Sequence, residues 1–265
     1  MPELTQLDAA TARDWVDRWD RQQEIYLADR EDRFTAVIDA VEALAGRPDP
    51  LVLDLGAGPG SLSVRLLRRL PQATVIAIDA DPVTLALGHS AYGDIPGLRF
   101  ADLDLRSPGW TAGLGLEAGS QADAVVSSTA LHWLGADELR DLYASLAQLL
   151  RPGGLLVDAD HLRLDEAVSP VLSSLERALE EREARRRLLD GPGGDAEDWD
   201  QWWQAVTEHP ALAPADAERV RRELVHPVRD GRKLAVHTAA LHAAGFAEVG
   251  VVWQRGASRL LAAIR

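Results

Sequence analysis

The chain has 265 residues, 46% of them hydrophobic, no cysteine and a formal net charge of −14. That length suits one α/β domain with an insertion and is enough to bury a sizeable core. The charge argues against a nucleic-acid partner, because phosphate binding draws on Lys and Arg, and the lack of cysteine removes disulfides, thiolate metal sites and cysteine nucleophiles. Nowhere do ~18 uncharged apolar residues run together, as a membrane span would need. The acidic, polar start MPELTQLDAATARDW is unlike an export signal, so the cytoplasm is the expected compartment.

Residues 8–45 are helix-prone, with Trp15, Trp19 and Tyr26 and then Phe34, Val37, Ile38, Val41 and Leu44 at helical spacing until Gly46, Pro48 and Pro50 stop the pattern. Strands are then expected near 51–55, 74–79, 98–101, 123–127 and 154–159, with helices near 61–70, 82–90 and 136–150. Alternation on that scale implies a parallel sheet with right-handed crossovers. After residue 162 the pattern breaks. Residues 165–189 read as a charged helix in which Arg185, Arg186 and Arg187 form a solvated face with i,i+4 acids. GPGGD (191–195) interrupts it, and Trp199, Trp202, Trp203 and Val206 mark one face of a short helix. A helix over 233–244 and strands over 247–254 and 258–264, joined at Gly256, complete the chain as a hairpin. The expected fold is an α/β, Rossmann-like, seven-stranded, mostly parallel sheet with one antiparallel edge strand. It divides into an N-terminal helical lid (1–45), a cofactor-binding core (46–162), a helical cap on the acceptor side (163–232) and a helix and hairpin that complete the sheet (233–265).

The most informative segment is DLGAGPG, residues 54–60, directly after the apolar run Leu51-Val52-Leu53. A strand that breaks into a glycine-rich turn before a helix leaves backbone N–H groups bare for a ligand. The spacing is not that of a dinucleotide turn, G-x-G-x-x-G, which would need a glycine where Ser61 stands. The third glycine is Gly60, and Asp54 sits two residues before Gly56. A carboxylate there would repel a pyrophosphate and suit an ammonium group, so the ligand expected is a nucleoside carrying an amino-acid tail. S-adenosyl-L-methionine fits. Asp79 ends VIAID, 19 residues past Gly60, where an acid accepts from ribose hydroxyls. Asp102 ends the next strand, where an acid can accept from an adenine amino group.

The chain resembles the class I S-adenosylmethionine-dependent methyltransferases over roughly residues 50–160 and the C-terminal 35. DLGAGPG is similar to that family's first motif, IDAD (78–81) to its second, ADL (101–103) to its adenine-side motif, ADAVVSSTALHWL (122–134) to its fourth strand and following loop, and LRPGGLL (150–156) to the turn before its fifth strand. The resemblance implies transfer of a methyl group to a small organic acceptor, with O-methylation in secondary metabolism the leading expectation. A catalyst of the same fold that uses the sulfonium only to assist a cyclisation or decarboxylation is the alternative. A nicotinamide oxidoreductase is disfavoured by Ser61 and by the lack of a Tyr-x-x-x-Lys pair. The expected cofactor contacts are Asp54, Gly56, Ala57, Gly58, Gly60, Asp79, Ala80, Asp102, Leu103 and Ser127, with Tyr26 closing over the methionine end.

A hydroxyl or amine acceptor needs a proton sink, for which histidine is suited near neutral pH. His161, expected in the loop after strand five, is the first candidate base and His132, in ALHWL, the second. Either could instead serve structure, by bonding to backbone or capping a helix. His237 and His242 are five apart, which misses the i,i+4 spacing of a zinc pair, and they read as structural. His209 and His226 lie in the cap with nothing to position them. Trp133, Asp160, Trp202 and Trp203 are the candidate acceptor contacts, although an aromatic stripe is also what core packing produces. No metal is expected, because the strand-four loop offers SST without a carboxylate. The acceptor's identity and the oligomeric state are left open by the sequence. The ALHW segment resembles the same loop in small-acid carboxyl methyltransferases of the trans-aconitate type.

Overall fold

The computed structural model describes residues 7–27, 29–117, 119–190, 197–224 and 230–265. Two helices lead in. The first, α1 (Ala9–Tyr26), is capped by the Asp8 carboxylate, which accepts from the Thr11 N–H at 3.0 Å. The second, α2 (Arg30–Ala45), ends at Gly46 in the left-handed region, as expected. The strands are β1 (Leu51–Leu55), β2 (Thr74–Asp79), β3 (Leu98–Asp102), β4 (Ala122–Ser128), β5 (Leu150–His161), β6 (Glu248–Arg255) and β7 (Ser258–Ile264). Between them run α3 (Ser61–Arg69), α4 (Pro82–Tyr92), α5 (Ala136–Leu149), α6 (Pro170–Asp190), α7 (Trp199–Glu208), α8 (Ala213–Arg221) and α9 (Leu234–Ala243).

The strands form one sheet in the order β3-β2-β1-β4-β5-β7-β6, parallel except for β7, which runs antiparallel to both neighbours. The reversed strand is therefore second from the edge, not at it. Side-chain character explains the placement. In β7 Leu260, Leu261 and Ala263 are buried, whereas β6 exposes most of its residues, so the more apolar strand takes the interior position. The order reverses between β1 and β4, which opens a ligand crevice at the carboxyl ends of those strands.

One sheet face packs Leu53, Ile76, Val125 and Leu156 against α5 and α9. The other packs Val52, Val75, Val126 and Val157 against α2 and α3. A third cluster joins α1, α4, α7 and α8 through Trp15, Val16, Leu87, Trp202 and Val206. The GPGGD segment and His226 lie outside the described residues. Among the described residues no helix is long and apolar enough to cross a membrane.

Candidate functional site

The turn after β1 adopts the geometry its glycines allow. Gly56, Gly58 and Gly60 have φ of 64°, 56° and 88°. A Cβ on Gly56 would stand 2.2 Å from the Ala130 side chain, so only glycine lets β1 and the loop after β4 approach this closely. Gly58, by contrast, faces open space bounded by Trp19, whose ring edge would lie 3.9 Å from an added Cβ. The turn closes on itself through the Ala57 N–H to the Ile78 carbonyl and the Gly60 N–H to the Ala57 carbonyl, both at 3.0 Å. Asp20 of α1 fastens the lid to it, accepting from Ser61 Oγ at 2.6 Å and from Arg30 at 2.8 Å. Asp20 carries no motif signal; only its i+10 partner Arg30 on α2 and its contact at the start of α3 reveal the role.

Three acids stand at successive strand ends. Asp54 is buried and accepts from the Ser63 hydroxyl at 2.6 Å, and burial together with the Asp79 charge pushes it up to about 7. Asp79 accepts from the Gly58 N–H at 2.7 Å and the Asp81 N–H at 2.9 Å; burial still raises it to about 6. Asp102 is half exposed and forked with Arg222, at 2.6 and 2.8 Å. Arg222 also donates to the Ala80 carbonyl at 2.9 Å, and Arg219 of α8 reaches Asp81 at 2.9 Å, so the end of the cap straps across the tips of β2 and β3. The Leu103 N–H is held by the Asp79 carbonyl at 2.9 Å. Ser127 Oγ donates to the Leu55 carbonyl at 2.9 Å and braces β1 against β4 from a buried position.

The second half of the site follows β4 and β5. Thr129 has φ of 53°, a left-handed conformation that a β-branched residue adopts only under constraint, at a cost of roughly 1–3 kcal/mol. Its N–H is pinned by the Ala159 carbonyl at 3.1 Å. The strained residue leads into a 3-10 turn, Leu131–Trp133, which presents His132. Its Nδ1 lies 2.7 Å from Asp160 Oδ2 and 2.9 Å from Oδ1, and its ring packs on Trp133 with centroids 4.5 Å apart. Burial would raise the Asp160 carboxyl, but His132 and the nearby Arg33 outweigh it and hold it well below the usual carboxylate range. Asp160 therefore stays ionised and accepts from Nδ1–H, which leaves Nε2 as the ring nitrogen outside this pair.

Asp158, two residues earlier and on the same sheet face, takes the opposite form: burial and the Asp160 charge raise it well above its ordinary value. Beside it His237 is buried, with Nδ1 2.6 Å from Tyr143 Oη, Nε2 2.7 Å from the Gly231 carbonyl and Asp158 at 3.3 Å. Burial lowers His237, so the ring is neutral and bonds within the core.

His161 is not in a loop. It is the last residue of β5, paired with Ser258, because β7 accompanies β5 to its end. The period of two turns it to the face opposite Asp160. There it lines a cleft of about 240 Å³ with Tyr26, Asp29, Leu179 and Ser258. Burial and Arg33 push it down to about 4, so it is neutral near pH 7 and a weak base. Tyr26 borders this cleft and receives the Trp199 N–H at 3.3 Å. Trp202 is a core residue, 1% exposed and packed edge-on against Trp15, Trp19 and Trp203. Trp203 is stacked under Arg219 at 3.8 Å, beside the β2 tip. Among the described residues no cluster of three or more His, Asp or Glu is placed to hold a metal.

Comparison with known proteins agrees with this geometry. Residues 52–154 match the family model described as a methyltransferase domain. With the strand order and the glycine turn, that span has the features of a class I S-adenosylmethionine-dependent methyltransferase domain. The chain is similar to the trans-aconitate 2-methyltransferase of Deinococcus radiodurans, 34% identical over 135 residues that cover 50% of this chain and 47% of that protein. It is also similar to that of Streptomyces coelicolor, 32% identical over 142 residues, 52% of this chain and 43% of the relative. The chain thus spans about half the length of the curated relatives it matches. Among solved structures, magnesium protoporphyrin IX methyltransferase from Synechocystis superposes with a TM-score of 0.52, 19% identity and 94% coverage of both chains, a likeness of fold.

Proposed function

We propose that this chain binds S-adenosylmethionine at the turn after β1 and methylates a hydroxyl oxygen of a small organic acceptor. The fit to that ligand rests on the acids. Asp54 is a buried carboxyl and Asp79 a part-buried one, both raised by desolvation and by a neighbouring acid, a setting that an ammonium group and ribose hydroxyls relieve and a pyrophosphate would worsen. Gly58 leaves its side of the turn open for close approach. Asp54 would face the amino-acid tail, Asp79 the ribose and Asp102 the adenine. When bound, the ligand supplies an electrophilic methyl whose positive charge disperses in the transition state.

The observation that carries the choice of acceptor is His132 held by an ionised Asp160, 2.7 Å away, at the tips of β4 and β5. Asp160 fixes the imidazole tautomer, and Nε2 takes the hydroxyl proton as the new C–O bond forms. A carboxylate acceptor would need no such base, and no proton would move. Trp133 and the strained Thr129 hold the imidazole in place, so alignment and general-base catalysis come from one loop. A panel of hydroxyl and carboxylic acid acceptors, assayed by S-adenosylhomocysteine release, tests this. Turnover is expected on hydroxyl compounds and lost in His132→Ala. Turnover confined to carboxylic acids and untouched by that change would overturn it.

A further inference from the structure

Helix α6 is amphipathic in the wrong sense. A surface helix ordinarily buries its apolar stripe and exposes its charges. Here the face turned to the protein is polar: Glu176 pairs with Arg259 at 2.6 Å, Glu180 with Arg163 at 2.8 Å and Glu183 with Arg255 at 2.7 Å. The outward face carries Val171, Leu172, Leu175 and Leu179, spaced one, three and four residues apart and 79%, 55%, 50% and 47% exposed. Val168, just before the helix, extends the stripe and is 79% exposed. A contiguous apolar strip held outward by three ion pairs marks an interaction surface.

Charge along the same face says what covers it. Asp165 and Glu166 precede the strip, and Arg182, Arg185 and Arg186 follow it; Glu166 meets Arg177 at 3.2 Å and Arg185 meets Glu181 at 3.5 Å in exposed pairs weak enough to exchange for a partner's charges. The strip is centred on Leu175, so Arg182 and Arg185 lie as far beyond the centre as Val168 and Asp165 lie before it. A second α6 running antiparallel across the first would set the Arg end of each helix against the acidic end of the other while Leu172, Leu175 and Leu179 interdigitate. A two-fold contact of this kind is self-complementary. We propose that the chain forms a two-fold dimer through antiparallel pairing of α6. Leu179 also lines the cleft that holds His161, so the partner's helix would wall that cleft. This inference stands apart from the methyl-transfer reading.

Light scattering coupled to size exclusion should give twice the monomer mass. Leu175→Asp, at an exposed site where folding is not at stake, should weaken the dimer by about tenfold or more, because two carboxylates would meet at the two-fold axis, with an unchanged circular dichroism spectrum and melting curve. The chain has no cysteine, so single replacements report geometry. Leu175→Cys should cross-link to its own copy on mild oxidation and Arg186→Cys, remote from the crossing, should not. A wild-type chain that is monomeric at about 100 µM, well above the dissociation constants of ordinary dimers, would overturn the proposal. So would cross-linking of both cysteine variants, which means parallel pairing, or a monomer that sediments with phosphatidylcholine vesicles through this strip.

Discussion

Five aspartates stand at the carboxyl ends of the parallel strands, and the two sides of the switch point treat them differently. After β1 and β2, buried Asp54 and part-buried Asp79 have no cation beside them among the described residues and are pushed up to about 7 and about 6. After β5, Asp160 is buried just as deeply, yet His132 and Arg33 hold it far below the usual range. Its neighbour Asp158 is raised because Asp160 already takes the single negative charge the pocket supports. One side of the site thus awaits positive charge from outside the chain, while the other has supplied its own. On the reading proposed above, the donor half suits a cationic ligand, and the acceptor half already holds its imidazole–carboxylate pair.

The largest effect should come from breaking the acceptor half. His132→Ala is expected to lower kcat by about 100- to 10,000-fold, the usual range for loss of a general base, with donor affinity unchanged by calorimetry. Asp160→Asn should lower kcat comparably, because the amide can present its N–H to Nδ1 and favour the wrong tautomer. His161→Ala should cost far less, since that ring lies on the opposite face of the sheet. If His161→Ala proved as damaging as His132→Ala, the assignment of the base would be reversed.

The other half breaks through binding. Asp79→Ala is expected to weaken donor affinity by ~1–3 kcal/mol through loss of a charged hydrogen-bonding partner, with kcat at saturating donor little changed. Unchanged affinity would place the ribose elsewhere. Affinity should also fall as pH drops through about 6–7, because Asp54 and Asp79 must ionise to meet the ligand. The same shift has a stability consequence of opposite sense. Asp54 is raised above its unfolded value of 3.8, so its contribution is fully present below that pH and is lost as pH rises through about 7. Asp54→Asn should therefore stabilise the empty protein at pH 8, by roughly 1–4 kcal/mol at order of magnitude, while weakening donor binding. Thermal melts at pH 5 and pH 8 check it: the gain should be markedly larger at the higher pH.

The two halves also differ in how much the sequence discloses. The donor half is written in one contiguous run and two strand ends, and its strands, acids and glycine turn lie where the alternating pattern puts them. The acceptor half is assembled from residues 28 apart in the chain, His132 and Asp160, whose pairing exists only because β4 and β5 are neighbours. His161 looked like the better base for want of a signal telling which sheet face it would take, and β5 proved longer than its pattern, since Pro152, Gly153 and Gly154 read as a breaker. Those residues are held in the strand by the Arg265 backbone, bonded to Gly153 at 2.7 Å and Gly154 at 3.0 Å. Helical spacing marks the tryptophan stripe but does not say what it faces; Trp202 packs against Trp15 of α1. Helix α8 escaped notice because APADAERVR carries few apolar residues, and ion pairs to Asp81 and Asp102 hold its end in place.

The smallest effect concerns that strap, and its sign separates two roles for it. Asp102 is the acid expected to meet the adenine amino group, yet both its oxygens are taken by Arg222. If the guanidinium competes with adenine, Arg222→Gln should free the carboxylate and tighten donor binding, by no more than about fivefold because exposed ion pairs contribute only ~0–1 kcal/mol. The gap between wild type and variant should shrink between 50 and 500 mM salt, where screening weakens the pair already. If instead the strap covers bound adenine, Arg222→Gln should loosen binding at every salt concentration. Competition is the expected outcome: the Arg222 fork takes one lone pair on each carboxylate oxygen and neutralises its charge, so an amino group meets a weaker acceptor while the fork is closed.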